Sequence, residues 1–197
     1  FNTDLEGDGA FICQNSWGDN FGENGFFYIS YYDTNIGTHN VVYTDIENTD
    51  NYDHIYQSDL CGWVGQLGYN KDSIYGANVF TAEGNETLKA ASFYATGKDS
   101  QYELYVVRQF EDETSLEKMI PVASGKLGNA GYYTVDFNQG IEVDAGERYA
   151  VVLYIITPGS VHPMAIEYAA DEATENVDLD DGESYISANG SKWVSVD

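Results

Sequence analysis

From residue 37 onward the chain never offers a helix room to form: short runs suited to β-strands recur, with turn residues at close intervals between them. Leu88–Ala95, Tyr102–Val107 and Tyr132–Phe137 interleave apolar and polar positions, as a strand with one buried face does. Asn78–Thr81 begins another strand, Ile141–Val143 follows a glycine turn, and Met164–Tyr168 and Tyr185–Ser187 complete the set. Arg148–Ile156 is so continuously apolar that it belongs in the middle of a sheet. Only Ser115–Met119 can make a helical turn. Such a pattern predicts an all-β chain built as an antiparallel sandwich. The 17 tyrosines and 20 glycines suit strands and tight turns, and 43% hydrophobic residues among 197 supply a core.

Charge narrows the partners. Eight Lys and Arg stand against 33 Asp and Glu, a formal net charge of −25, which repels phosphate backbones and anionic bilayers. Nucleic acid is therefore excluded as a partner. No apolar run is long enough to span a membrane as a helix.

One motif carries chemistry. Asn15-Ser16-Trp17-Gly18 is followed by Phe21-Gly22 and then by Gly25-Phe26-Phe27-Tyr28-Ile29-Ser30-Tyr31. The run resembles the segment of papain-family cysteine peptidases that carries the catalytic asparagine. The resemblance implies that Asn15 orients an imidazole and that Trp17 shields the hydrogen bond between them. In that chemistry a thiolate attacks the scissile carbonyl while the histidine protonates the leaving amine. Phe21 stands where the family more often has Trp. The family order is Cys, His, Asn, so the resemblance places both other members upstream of Asn15, outside this chain. Phe1–Gly9 then reads as the loop leading into the Asn-bearing strand Ala10–Gln14.

The residues present do not replace those partners. Cys13 precedes Asn15 by two positions on the same strand, and Cys61, in Asp59-Leu60-Cys61-Gly62-Trp63, lacks the surroundings of the family's nucleophile. Both read as small half-buried hydrophobes, with a Cys13–Cys61 bridge supported only by their number. His39, His54 and His162 all follow Asn15 and read as surface or loop residues. Asn85 and Asn189 begin glycosylation sequons that matter only in a glycosylating host.

The later strands resemble a second known unit, the lectin-like domain that follows a papain-type catalytic domain in surface peptidases of Gram-positive bacteria. The stretches that carry the likeness are Asp53–Asp59 with Gly62-Trp63, Ala77–Ala82, Ser92–Tyr94, Gly131–Asp136, and Gly182–Ser187 with Trp193. The resemblance implies a jelly-roll-like β-sandwich over residues 37–197, following a short β-remnant of the papain-like domain over residues 1–36. It implies a secreted or cell-wall-associated protein, with the remainder of the catalytic domain as partner and a protein or peptide as substrate of the intact enzyme. On its own the chain is expected to be inactive. The alternative is a non-catalytic surface module for adhesion or glycan binding.

Two ligand classes remain open. Trp63, Trp193 and the many tyrosines could stack against a sugar from the cell wall or the host, or could simply fill the sandwich. No cofactor is required, but the stretch Asp171, Glu172, Glu175, Asp178, Asp180, Asp181, Glu183 contains no basic residue. Such a stretch either stays solvated or folds around a hard cation. Asp178, Asp180 and Asp181 are the expected ligands of a structural calcium, although the EF-hand spacing is missing.

Overall fold

The computed structural model describes residues 9–37, 40–172, 174–175 and 184–196. It divides into two compact units, Phe1–Thr49 and Asp50–Asp197.

The first unit is a hairpin. Strands β1 (Ala10–Gln14) and β2 (Phe26–Ser30) pair antiparallel, Ala10 opposite Ser30 and Gln14 opposite Phe26. Two strands alone cannot enclose a core. Large apolar side chains accordingly project outward on this unit, among them Phe11, Ile12, Tyr28 and Tyr31.

The second unit is an antiparallel sandwich. In chain order its strands are β3 (Gly65–Leu67), β4 (Ser73–Thr81), β5 (Glu86–Ala95), β6 (Ser100–Val107), β7 (Ile120–Leu127), β8 (Gly131–Val143), β9 (Arg148–Ile156), β10 (Met164–Ile166), β11 (Ser184–Ser187) and β12 (Trp193–Ser195). Six form one sheet in the order β12-β11-β4-β9-β6-β7, while β5 pairs with β8 and β3 with β10. The apolar strand β9 lies in the interior of the large sheet, paired to β4 on one side and β6 on the other. Alternation along the strands then builds buried clusters on both faces of the large sheet. One face of the large sheet contributes Ile74, Leu104, Val106 and Ile155, which meet Phe93 and Ala95 of β5 and Phe137 of β8. At one end of the opposite face, Ala77, Val79, Ala150 and Val152 are capped by Phe110 and Leu116.

Leu116 sits on a short 3-10 helix, Glu113–Glu117, at the place expected for a helical turn. Asp112 starts it by accepting from the Thr114 backbone N–H at 2.9 Å, the capping role that short acceptor side chains perform. The sequence predicts two strands separated by a turn over Tyr132–Val143, whereas the structure has one continuous strand, β8. Gly140 does not turn the chain. A Cβ there would stand 2.5 Å from Thr87 Cγ2, so glycine serves close approach of β5 and β8 beside a register slip between Leu88 and Ala90.

Residues 50–64 contain no regular strand but are tied down by side chains. His54 Nδ1 lies 2.7 Å from Glu86 Oε1, and Tyr56 Oη donates to Glu86 Oε2 at 2.8 Å. Asn78 Nδ2 donates to Ser58 Oγ at 3.0 Å and to Asp59 Oδ2 at 2.8 Å, and the Cys61 backbone N–H donates to Glu167 Oε2.

Candidate functional site

The Asn15 motif begins the loop that joins the two hairpin strands, one position beyond the Gln14–Phe26 pair. The loop between the strands depends on backbone conformations that few residues accept. Gly22 has φ +65° and Gly25 φ +88°, and a Cβ on Gly22 would stand 2.1 Å from the Phe26 carbonyl oxygen. This cramped turn brings the Gly25 carbonyl against Asn15. It accepts from the Asn15 backbone N–H at 2.8 Å and from Asn15 Nδ2 at 2.8 Å. On the other side, Asn15 Oδ1 accepts from the Trp17 backbone N–H at 2.6 Å.

These bonds fix which way the amide points. The NH2 group needs an acceptor and has the Gly25 carbonyl, and the oxygen needs a donor and has Trp17 N–H, so a flipped amide would lose both. The oxygen keeps a second lone pair, and Asn15 lines an open hollow together with Gln14, Ser16, Trp17 and Phe27. Chemically, the arrangement offers one rigidly oriented amide acceptor to an N–H donor arriving from outside. Trp17 stands beside it, 77% exposed, its ring packed edge-on to Phe21 at 5.2 Å, and Phe21 in turn edge-on to Phe27 at 5.5 Å. Sequence reasoning named Asn15 and Trp17 but not the Gly25 carbonyl that holds Asn15; the glycine spacing was its only signal.

Among the described residues, Cys13 is the remaining titratable candidate that shares this motif's unit. Cys13 is a half-buried free thiol on β1, and Cys61 is an exposed free thiol in the second unit. His54 is engaged with Glu86, and that hydrogen bond raises the imidazole pKa above its ordinary value. His162 is exposed after β9, and His39 lies outside the described residues. The expected calcium ligands Asp178, Asp180 and Asp181 also lie outside the described residues. Among the described residues, no group of His, Cys, Asp and Glu is arranged to hold a metal. The two tryptophans considered for sugar binding fall in different places. Trp63 is 37% exposed and packs against Tyr94 at 6.0 Å, which meets Tyr132 at 4.8 Å. Trp193 packs edge-on against Tyr75 at 6.2 Å, its indole N–H buried without a partner among the described residues.

The model of the lectin like domain family matches residues 55–197, most of the sandwich unit. The chain belongs to that family. Among solved structures, it is similar to the clostridial cysteine protease Cwp84 after propeptide cleavage, at 26% identity and a TM-score of 0.79. That match covers 100% of this chain and 49% of the other. A structure of the cysteine protease and lectin-like domains of Cwp84, a surface layer associated protein of Clostridium difficile, matches at 22% identity and a TM-score of 0.73. It is covered to 44%, again with 100% of this chain, and at that identity it speaks for the fold alone. The chain thus spans about half the length of the structures it matches. No curated protein sequence matches it. The lectin-like family membership rests on the sandwich, while the likeness to Cwp84 extends over the hairpin as well.

Proposed function

We propose that this chain is the C-terminal portion of a surface-associated, papain-like cysteine peptidase, contributing the imidazole-orienting asparagine, Asn15, and a lectin-like accessory domain. The observation that carries the reading is the locked Asn15 amide within an N-S-W-G hairpin, in a chain that matches a cysteine protease structure from end to end. Asn15 Oδ1 would accept the imidazole N–H and fix the tautomer whose other nitrogen faces the thiol. Trp17 would keep water from that hydrogen bond, which is stronger in a dry site. The thiolate and the histidine would come from polypeptide outside this chain. The partner would be the rest of the catalytic domain, and the substrate a protein or peptide.

The pure chain is expected to show no thiol-dependent peptide hydrolysis, because an orienting group without nucleophile and base opens no covalent route. In the intact enzyme, Asn15→Ala should lower kcat, by less than removal of the cysteine or the histidine. Unchanged kcat, or an upstream coding region without a cysteine-histidine pair, would favour a non-catalytic glycan-binding or adhesion module instead.

A structural calcium held by Asp178, Asp180 and Asp181 remains part of the proposal, supported by the density of carboxylates in that stretch. A cation that binds only the folded chain raises its melting temperature. Calcium should raise it more than sodium chloride of equal ionic strength, and Asp180→Asn with Asp181→Asn should remove the difference. Equal responses to both salts would refute the site.

A further inference from the structure

The outer face of the six-stranded sheet is covered only in part. Phe110, Leu116 and Met119 close the end that carries Val79, Ala150 and Val152. Beyond that cover the register lays down two adjoining rows on the same face. One row runs Tyr75, Tyr154, Glu103, Ser124 across β4, β9, β6 and β7. The other, two residues further along each strand, runs Ser73, Ile156, Gln101, Lys126. Between β9 and β7 these rows line a hollow of about 270 Å³, with Tyr154, Ile156, Gln101, Glu103, Ser124 and Lys126 around it.

Tyr154 is the wall of this hollow. On the β4 side its ring stacks on Tyr75, with centroids 4.2 Å apart and an interplanar angle of 22°. Tyr75 is backed in turn by Gly190, where a Cβ would stand only 3.2 Å from the Tyr75 ring. The hollow lies on the opposite, β6 side, so the second π-face of Tyr154 is turned toward it and held there by the stack behind. Most of the hydrogen-bonding capacity around the ring is unengaged. Glu103 Oε2 accepts from Tyr105 Oη, which steers the carboxylate and leaves Oε1 free. The side chains of Gln101, Ser124 and Lys126 have no partner among the described residues.

We propose that this hollow binds one ring of a neutral oligosaccharide, stacked on Tyr154 and gripped through its hydroxyls by Glu103, Gln101 and Lys126. A pyranose has an apolar C–H face that suits the negative face of an aromatic ring, and a rim of hydroxyls that both donate and accept. The free Glu103 oxygen accepts, Lys126 donates, and Gln101 does both, which suits adjacent hydroxyls on one ring. The volume is below the roughly 300 Å³ at which pockets for drug-sized ligands begin, so a single ring enters and the rest of the chain leaves through the open side. The polar lining carries one carboxylate and one ammonium, and the protein as a whole carries −25, so acidic sugars are disfavoured. The proposal rests on the sandwich unit and not on the peptidase reading of Asn15, and either can fail without the other.

The test is calorimetric titration of the 197-residue chain with trisaccharides of glucose, mannose and N-acetylglucosamine, and with sialyllactose as the acidic comparator. At least one neutral trisaccharide should bind. Tyr154→Leu should weaken it roughly tenfold, the loss of one stacking contact. Gln101→Ala and Glu103→Gln should each weaken it by roughly threefold, the loss of one hydrogen bond. Gln101 and Glu103 are exposed, so these variants keep the test decisive if Tyr154→Leu disturbs the sheet. The proposal is overturned if no neutral trisaccharide binds, if sialyllactose binds more tightly, or if the three variants bind like the parent. It is equally overturned if Trp63→Ala, on the separate Trp63–Tyr94–Tyr132 cluster, is the change that removes binding.

Discussion

The hairpin and the sandwich treat their large apolar residues in opposite ways. In the sandwich Tyr149 is 1% exposed, Phe110 4% and Phe93 8%, each between elements distant in sequence. In the hairpin Phe11 is 48% exposed, Tyr28 55% and Ile12 68%, although both strands are regular and fully registered. Regular hydrogen bonding therefore does not make a self-sufficient unit; a second layer does. The sandwich owns its second layer in β5 and β8. Among the described residues the hairpin has no such layer within its own unit.

Truncation of core residues should widen this contrast more than any other change. Leu104, 1% exposed in the main core, should cost about 2–5 kcal/mol of unfolding free energy as Leu104→Ala, the range for cavity-forming substitutions. Ile12→Ala should stay within about 0.5 kcal/mol in the same denaturant titration, as exposed positions do. A loss at Ile12 comparable to that at Leu104 would mean that the hairpin is buried in solution and the comparison fails.

Much of this division was legible in the residues themselves. The alternation in Tyr102–Val107 and the apolar run Arg148–Ile156 located β6 and the interior strand β9, because those side chains need one or two buried faces. The start of β4 was not legible, since Gly76 interrupts its pattern. Its role shows only in space, where a Cβ would meet Met164 Cε at 2.7 Å. Strand β7 escaped for a similar reason: Pro121 and Gly125 read as turn residues, yet on the edge of a sheet a proline deprives no neighbour of a hydrogen bond. At the candidate sites, the identity of Asn15 was plain but its orientation was not. The hollow beside Tyr154 could not be seen at all, because Glu103 and Ser124 become neighbours only through strand register.

A smaller effect is expected where one charge anchors a turn of the sandwich. Arg108 donates to Glu147 through Nε at 2.9 Å and through a terminal nitrogen at 2.6 Å, and the Glu147 side chain is 7% exposed. Gln109 and Asp144 add backbone N–H donors at 3.1 Å and 3.2 Å. The Arg108 bonds hold the Glu147 carboxyl below the ordinary carboxylate pKa, although burial opposes them. Arg108→Met should cost roughly 1–2 kcal/mol at neutral pH, toward the low end for charged hydrogen bonds because Arg108 is 36% exposed and water replaces part of what is lost. The folded pKa is the lower one, so the contribution is complete above the unfolded value of about 4.3 and disappears as pH falls through the folded value. A penalty equal at pH 7 and pH 3 would assign it to packing of the arginine stem rather than to charge.

The smallest expected effect concerns residues 50–64, which reverse the hairpin's situation: irregular backbone, but side chains fastened to the sandwich. Glu86 accepts from Tyr56 and faces His54, and the His54–Glu86 hydrogen bond raises the imidazole pKa. Because the folded value is the higher one, this contact stabilises fully below the unfolded pKa of about 6.5 and is lost as pH rises through the folded value. Glu86 works in the other sense. Its pKa is lowered, chiefly by the Tyr56 hydrogen bond and then by His54, so its contribution is present above the unfolded carboxylate value and fades as pH falls through the folded one. The fastening is therefore tightest in the mildly acidic window between the two transitions. His54→Gln should lower the melting temperature in that window and leave it nearly unchanged at pH 9, where the parent histidine is neutral. Hydrogen exchange at the Glu83 amide, which donates to Tyr56 Oη at 2.8 Å, reads the same segment locally. Its protection should fall in the variant at pH 5.5 more than at pH 9. Equal changes at both values would show that residues 50–64 are held by Tyr56 and Asn78 alone, with the imidazole charge contributing nothing.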